Sequence, residues 1–301
     1  MPESAKPFVA PDPHDPVALA IAEDVGSGDV TCEYFVDAAQ RGLARIFAKQ
    51  PAVLAGVEAA ARAFRLVDGE TTVRVLRADG DALKVGDAVL EASGRVRSLL
   101  TAERTALNFI QRLSGVATLT RQYVEAVKPH AARILDTRKT TPGLRLLEKA
   151  AVAAGGGTNH RIGLYDMAMV KENHYAADPS LPGLRAAIAR FHGARPGLRL
   201  EIEAQSLAEV RDFLTLEGVD MIMLDNLSIA QMTEAVRLRA ELNPKVLFEA
   251  SGGITLSTIH AVAGTGVDFI SAGALTHSAP AVDFSLDLIR EEAKGGRPEA
   301  L

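Results

Sequence analysis

Between Arg133 and Ala272 one rhythm repeats: a short apolar run closes on a polar or small residue and a helical segment follows. The runs are Arg133-Ile-Leu-Asp136, Met167-Ala-Met-Val-Lys171, Leu198-Arg-Leu-Glu-Ile-Glu203, Asp220-Met-Ile-Met-Leu-Asp225, Lys245-Val-Leu-Phe-Glu-Ala250 and Asp268-Phe-Ile-Ser-Ala272. Strands alternating with helices in this way mean a parallel sheet. A full eightfold barrel takes roughly 250 residues, so six such runs predict an open, incomplete α/β barrel. A doubly wound sheet is the competing fold. Against it, no Gly-x-Gly-x-x-Gly turn follows the first run, and polar residues recur at nearly every run's end, as a barrel's catalytic face requires.

The first half is mixed α and β. Val17 to Asp24 reads as a helix ended by the loop Val25 to Thr31, Leu43 to Ala48 and Thr72 to Leu76 as strands, and Val57 to Val67 as a helix between them. Asp79 to Asp87 carries the Gly and Asp of a tight turn. From Ser98 to about Val127 the pattern is helical, with a break expected near Ser114-Gly115, where the domain connection is placed. Ser206 and Glu209 have the spacing of a capping box and read as helix punctuation. The expected division is residues 1–115, a barrel over 116–280, and a C-terminal helix within 281–301, its pattern running from Phe284 to Lys294, that packs back on the first domain.

Composition narrows the function. With 301 residues, 48% of them hydrophobic, the chain can bury one large core or two unequal ones. No apolar run approaches the roughly 20 residues of a membrane helix, and the stretch from Met1 to Pro16 has no apolar signal core. A cytoplasmic protein with no membrane attachment is expected. The single cysteine, Cys32, excludes an internal disulfide and reads as a reduced, structural thiol. A net charge of −5 argues against nucleic acid. Yet Arg133 to Lys171 holds seven cations (133, 138, 139, 145, 149, 161 and 171) against three acids (136, 148 and 166). That cluster suits a pocket for a compact, highly charged anion. For Arg145 and Lys149, four apart, a solvated helix face is an equal reading.

The chemistry concentrates at the run ends. Asp136-Thr-Arg-Lys-Thr-Thr-Pro-Gly143 places Arg138, a fixed fork for carboxylate or phosphate, beside Lys139, a mobile point charge. Gly155-Gly-Gly-Thr-Asn-His-Arg161 brings a glycine run before His160 and Arg161, and Lys171 closes an apolar run, where it must snorkel or meet an anion. These are five donors in one basic segment. Glu203 and Asp225, at the ends of the next runs, could hold substrate hydroxyls or a magnesium ion. Glu201 shares a face with Glu203, which is favoured as nearer the strand end. Ala250-Ser251-Gly252-Gly253 and Ser271-Ala272-Gly273, each followed by a helical segment, let backbone N–H groups and a helix N-terminus approach a phosphate.

In their order and combination, several stretches resemble the quinolinate phosphoribosyltransferases, the type II phosphoribosyltransferase family. They are Asp24 to Thr31, Glu103-Arg-Thr-Ala-Leu-Asn-Phe109, Asp136 to Gly143, Thr158-Asn-His-Arg-Ile-Gly-Leu164, Lys171-Glu-Asn-His174, Met223-Leu-Asp-Asn226 and Ala250 to Gly253. The resemblance implies an N-terminal α/β sandwich domain, an open α/β barrel and a head-to-tail homodimer with shared active sites. It implies that Arg104 crosses from the partner subunit, and that Arg138, Lys139, His160, Arg161 and Lys171 surround quinolinate. Glu203 and Asp225 would face the ribose and the magnesium-pyrophosphate end of phosphoribosyl pyrophosphate, and the two glycine turns the 5′-phosphate. Lys139, Lys171, Glu203 and Asp225 are the expected catalytic set. Mg2+ comes with the pyrophosphate substrate, and no organic cofactor is needed. The interval from Glu203 to Asp225 is one residue longer than usual in the family, which keeps Glu201 in contention. A paralogue with another substrate, such as the molybdenum-transport-associated relatives, and a non-catalytic sensor of a phosphorylated metabolite are the alternatives. A flavin- or sugar-phosphate-using barrel is disfavoured by the strand count and the lack of a proton-abstracting pair.

Overall fold

The computed structural model describes residues 12, 14–176, 178 and 180–290. Most of the Met1 to Pro16 stretch lies outside the described residues. In chain order the helices are α1 (Pro16–Val25), α2 (Val30–Phe35), α3 (Val57–Val67), α4 (Val96–Ala126), α5 (Arg145–Ala154), α6 (Glu172–Tyr175), α7 (Leu181–Ala194), α8 (Leu207–Phe213), α9 (Ile229–Leu242), α10 (Ile259–Ala263) and α11 (Ala274–His277). The strands are β1 (Arg41–Ala48), β2 (Ala52–Val53), β3 (Thr72–Val75), β4 (Ala82–Leu83), β5 (Ala88–Arg95), β6 (Arg133–Leu135), β7 (Ala168–Val170), β8 (Leu200–Ala204), β9 (Met221–Asp225), β10 (Leu247–Ser251), β11 (Phe269–Ser271) and β12 (Phe284–Arg290). The chain divides into two units, one of residues up to 115 with 142–147 and 280 onward, the other of 116–141 and 148–279.

The first unit is built on an antiparallel sheet of order β12-β1-β5-β3, with β2 and β4 forming a separate pair. Strand β1 alternates exposed or half-buried with buried residues along its length, the period-2 signature of a sheet with one face in the core. Helix α3 packs against this sheet and α1 against α3. Asp15 caps α1, accepting from the Val17 and Ala18 N–H groups ahead of Pro16 in the first turn, and also pairs with Arg62. Asp29 caps α2 through the Cys32 N–H and accepts from Thr101 Oγ1 at 2.9 Å, so what reads as loop up to Thr31 already turns helical at Val30. Burial, reinforced by the Asp29 carboxylate, lifts the Cys32 thiol to about 11, which leaves it protonated and inert.

Two expectations for this unit are corrected. The C-terminal helix from Phe284 does not form: residues 284–290 are β12, paired antiparallel with β1 from Ala48↔Phe284 to Gly42↔Arg290, and the rest of the expected helix lies outside the described residues. The open edge of β1 supplies backbone partners that outweigh helix propensity, and Phe284, Leu286 and Leu288 alternate as a strand requires. Nor does α4 break at Ser114-Gly115. Buried Ser114 Oγ bonds the Ala55 N–H and C=O, and a Cβ on Gly115 would overlap the Pro280 carbonyl oxygen. Glycine is there for close approach, not to end the helix.

In the second unit all six expected runs are strands, in one parallel sheet of order β6-β11-β10-β9-β8-β7. Consecutive strands β6 and β7 are therefore the two edges, and the barrel stays open between them. Part of that gap is lined by Thr158, which bridges Leu135 in parallel register and exchanges backbone bonds with Ile134 and Asp136. Ser206 caps α8 through the Glu209 N–H, as helix punctuation requires, but the Glu209 carboxylate accepts from the Gln205 N–H rather than from that of Ser206, so only half of the expected capping box forms.

Candidate active site

Parallel strands present their C-terminal ends on one face, and the residues there line a cavity of about 310 Å³. Arg138, Lys139, His160, Arg161, Lys171, Glu203, Asp225, Ser251 and Ser271 all reach it, so most of the residues picked from the run ends converge. Asp136, Thr137, Met169, Met223 and Glu249 complete the lining. Gly252, Gly253, Ala272 and Gly273 do not line it.

The Asp136 carboxylate, fully buried at the end of β6, is the anchor. It pairs with buried Lys149 and accepts from Asn159 Nδ2 at 2.6 Å and the His160 N–H at 2.8 Å; Lys149 Nζ in turn donates to the His160 carbonyl at 3.1 Å. Burial pushes the Asp136 carboxyl above its ordinary value against the opposing pull of Lys149. Lys149 is thus neither a solvated helix-face residue nor a substrate ligand. Buried Glu148 holds the hydroxyl-rich turn, accepting from the Thr141 N–H at 3.0 Å and Thr141 Oγ1 at 2.8 Å. Arg133 lies at the opposite end of β6, bonded to Thr158 Oγ1 at 3.0 Å and over the Phe269 ring, away from the cavity.

Lys171 caps α6 and forms an ion pair with Glu203. Glu203 is at the cavity, whereas Glu201, two residues earlier, is fully buried beneath it, so the end of β8 presents Glu203. Asp225 ends β9 and accepts from Asn226 Nδ2 at 2.9 Å. Asn226 adopts a left-handed φ of 56°, and a Cβ on Gly252 would overlap its side-chain oxygen. A Cβ on Gly273 would sit 2.9 Å from Lys139 Cδ, so that glycine makes room for the lysine stem. The helix-terminus part of the phosphate reading is corrected for the first turn, since α10 starts only at Ile259, well beyond Gly253; after the second turn α11 follows at once, a single helical turn with Gly273 at its N-cap. Arg104 is exposed on α4.

His160 is not the open donor its place in the basic segment suggested. Its Nδ1 accepts from the Arg161 N–H at 2.7 Å, and its Nε2 lies 3.1 Å from a carboxylate oxygen of both Glu201 and Glu249. Burial works against an imidazolium, but the hydrogen bonds and charges of the two glutamates outweigh it and raise the ring to about 9. The Arg161 N–H opposes a proton on Nδ1. A ring protonated at Nε2 fits these contacts, and burial together with the Glu249 charge raises the Glu201 carboxyl above its ordinary value. The ligand atoms of His160, Glu201 and Glu249 lie within 4.8 Å of one another, near enough for a cation, but Arg138 and Arg161 at the same site disfavour more positive charge.

Asp136, Glu148 and Glu249 were not assigned to the site from the sequence, which left Lys149 between the pocket and a helix face and held Glu201 as the alternative to Glu203. The one available signal was Glu249, an acid inside the apolar run Val246-Leu-Phe-Glu-Ala250.

An open parallel barrel with four cations, two strand-end carboxylates and a second, antiparallel unit defines an enzyme class that handles polyanionic substrates. Residues 29–114 match the family description "Quinolinate phosphoribosyl transferase, N-terminal domain", and residues 116–287 match the corresponding C-terminal domain. The chain belongs to the quinolinate phosphoribosyltransferase family. It is 43% identical over 277 residues to nicotinate-nucleotide pyrophosphorylase (carboxylating) of Mycobacterium leprae, covering 91% of this chain and 96% of that one. It is 40% identical to mitochondrial quinolinate phosphoribosyltransferase (decarboxylating) 2a of Nicotiana tabacum, covering 91% and 82%. Among solved structures, NadC from Streptococcus pyogenes superposes with a TM-score of 0.84 at 42% identity, covering 95% of each chain.

Proposed function

We propose that this chain transfers the phosphoribosyl group of phosphoribosyl pyrophosphate to quinolinate with decarboxylation, giving nicotinate mononucleotide, carbon dioxide and pyrophosphate for NAD biosynthesis. The observation that carries this reading is the single cavity where Arg138, Lys139, Arg161 and Lys171 meet Glu203 and Asp225. A dianion and a polyanion can be bound side by side only where positive charge is concentrated. The pyridine nitrogen attacks the anomeric carbon as the bond to pyrophosphate breaks, and the carboxylates face the developing positive charge on the ribose. The new pyridinium then accepts the electron pair left at C2 when the adjacent carboxylate departs, and C2 takes up a proton. Lys139 or Lys171 orients that carboxylate or supplies the proton. The oxygens of Glu203 and Asp225 suit a hard cation and would hold Mg2+ brought with the pyrophosphate, whose charge it neutralises.

A homodimer with shared sites is part of the proposal. Arg104 is solvent-exposed within one chain, and Tyr34 and Phe35 in the first unit and Leu164 and Tyr165 in the second are each more than 70% exposed, which favours burial against another copy. Among the described residues no helix is long and apolar enough to cross a membrane; we place the protein in the cytoplasm. The test is incubation of the purified chain with Mg2+, phosphoribosyl pyrophosphate and either quinolinate or nicotinate. Nicotinate mononucleotide with stoichiometric carbon dioxide from quinolinate alone is expected. A folded dimer that makes no product from either acid refutes the reading.

A further inference from the structure

Beneath the cavity, the segment Thr158 to Arg161 lies in the gap between β6 and β7 and must be held without being a full strand. His160 is gripped from every side: its N–H by Asp136, its carbonyl by Lys149, its Nδ1 by the Arg161 N–H and its Nε2 by two glutamates. One N–H cannot point at two acceptors. Glu201 takes the aligned bond, and Glu249, fully buried on β10 and lining the cavity, is left with neither oxygen hydrogen-bonded. A buried acid that makes no hydrogen bond is unfavourable to stability, and an apolar side chain of similar volume would fill the place better. What the two acids provide instead is at Arg161. Its guanidinium is half-buried, held by the Met167 carbonyl at 3.3 Å and Met169 Sδ at 3.4 Å, repelled by Arg138 and attracted by Glu201.

We propose that Glu249, together with Glu201, is a positioning residue: the pair fixes the His160 ring, and through it the Arg161 main chain and guanidinium, in the place where quinolinate binds. Neither glutamate touches the reacting atoms; they act through His160 and Arg161. This deepens the proposed function and rests on it for the substrate.

Glu249→Met removes the second carboxylate beside Nε2 while keeping volume, and Glu249→Gln keeps an oxygen in that place. The assay is steady-state turnover of the full-length enzyme, with a thermal melt of each variant. For Glu249→Met the melting temperature should equal or exceed that of the wild type, while KM for quinolinate rises about tenfold as the His160 ring loses one of the two carboxylates that fix it. KM for phosphoribosyl pyrophosphate should stay within about twofold, and Glu249→Gln should restore KM for quinolinate to within about threefold. Loss of a bare negative charge under an anion site would move KM the other way, downward, in both variants, and a packing role would lower the melting temperature with KM unmoved; either result overturns the proposal. Glu201→Met removes the hydrogen-bonded acceptor and should raise KM for quinolinate in the same direction, so a folding failure of one variant leaves the other to decide. Wild-type turnover separates the two questions. Its absence counts against the proposed function, whereas normal turnover with an unmoved KM in Glu249→Met counts against the positioning role alone.

Discussion

Replacing Lys149 by methionine removes the cation facing Asp136 at the end of β6. Asp136 is fully buried, and after the substitution it keeps only Asn159 Nδ2 at 2.6 Å and the His160 N–H at 2.8 Å. Removing one partner of a buried ion pair costs about 3–5 kcal/mol, because the remaining charge is dehydrated and uncompensated. Asp136 has one escape, which is to bind a proton. Burial already raises its pKa above the ordinary 3.8, and losing Lys149 raises it further. Between the ordinary value and the raised one, the folded variant carries a proton that the unfolded chain has released. Stability therefore increases as pH falls through that window, by up to about 1.4 kcal/mol per pH unit. Urea denaturation of wild type and Lys149→Met from about pH 8 to about pH 5 should show a loss of about 3–5 kcal/mol at the alkaline end that shrinks on acidification. Asp136→Asn combined with Lys149→Met should recover most of the loss. A loss under about 1 kcal/mol, or one independent of pH over that range, would refute the buried pair as the anchor of the Thr158 to Arg161 segment.

Three further outcomes are expected. Gly115→Ala should destabilise the protein by about 1–3 kcal/mol in a thermal melt, because the new methyl group meets the Pro280 main chain; helix propensity alone predicts a gain of about 1 kcal/mol, so the sign decides. Cys32, raised to about 11, should resist a thiol reagent near pH 8 in the folded protein and react on addition of denaturant. Changing Lys139 and Lys171 together to alanine should lower kcat/KM by at least about a hundredfold in the nicotinate mononucleotide assay, and near-normal rates would remove both from the chemistry.

Much of the architecture follows from local pattern. The six apolar runs all became strands of one parallel sheet, and the polar residues that close them, Asp136, Lys171, Glu203 and Asp225 among them, all reached one cavity, because chain direction fixes which end of a parallel strand faces the catalytic side. Helix α3 has the limits its periodicity predicts. These features depend on neighbours a few residues away, and sequence carries that information directly.

What the sequence could not decide depends on groups distant along the chain. Phe284 to Arg290 has apolar residues that suit either a helix or a strand, and the open edge of β1, more than two hundred residues earlier, selects the strand. Gly115 reads as a helix break until the Pro280 carbonyl is seen against it. Glu201 and Glu203 lie on one strand face and differ only in depth, which is set by how the barrel closes over them. Lys149 looks like a surface lysine because its partner comes from another element. His160, Glu201 and Glu249 sit on three separate segments, and only the curvature of the sheet brings one imidazole nitrogen within 3.1 Å of two carboxylates. Residue type and period set the secondary structure and the chemistry available at the strand ends; packing across the sheet determined which of those groups meet substrate and which hold the others in place.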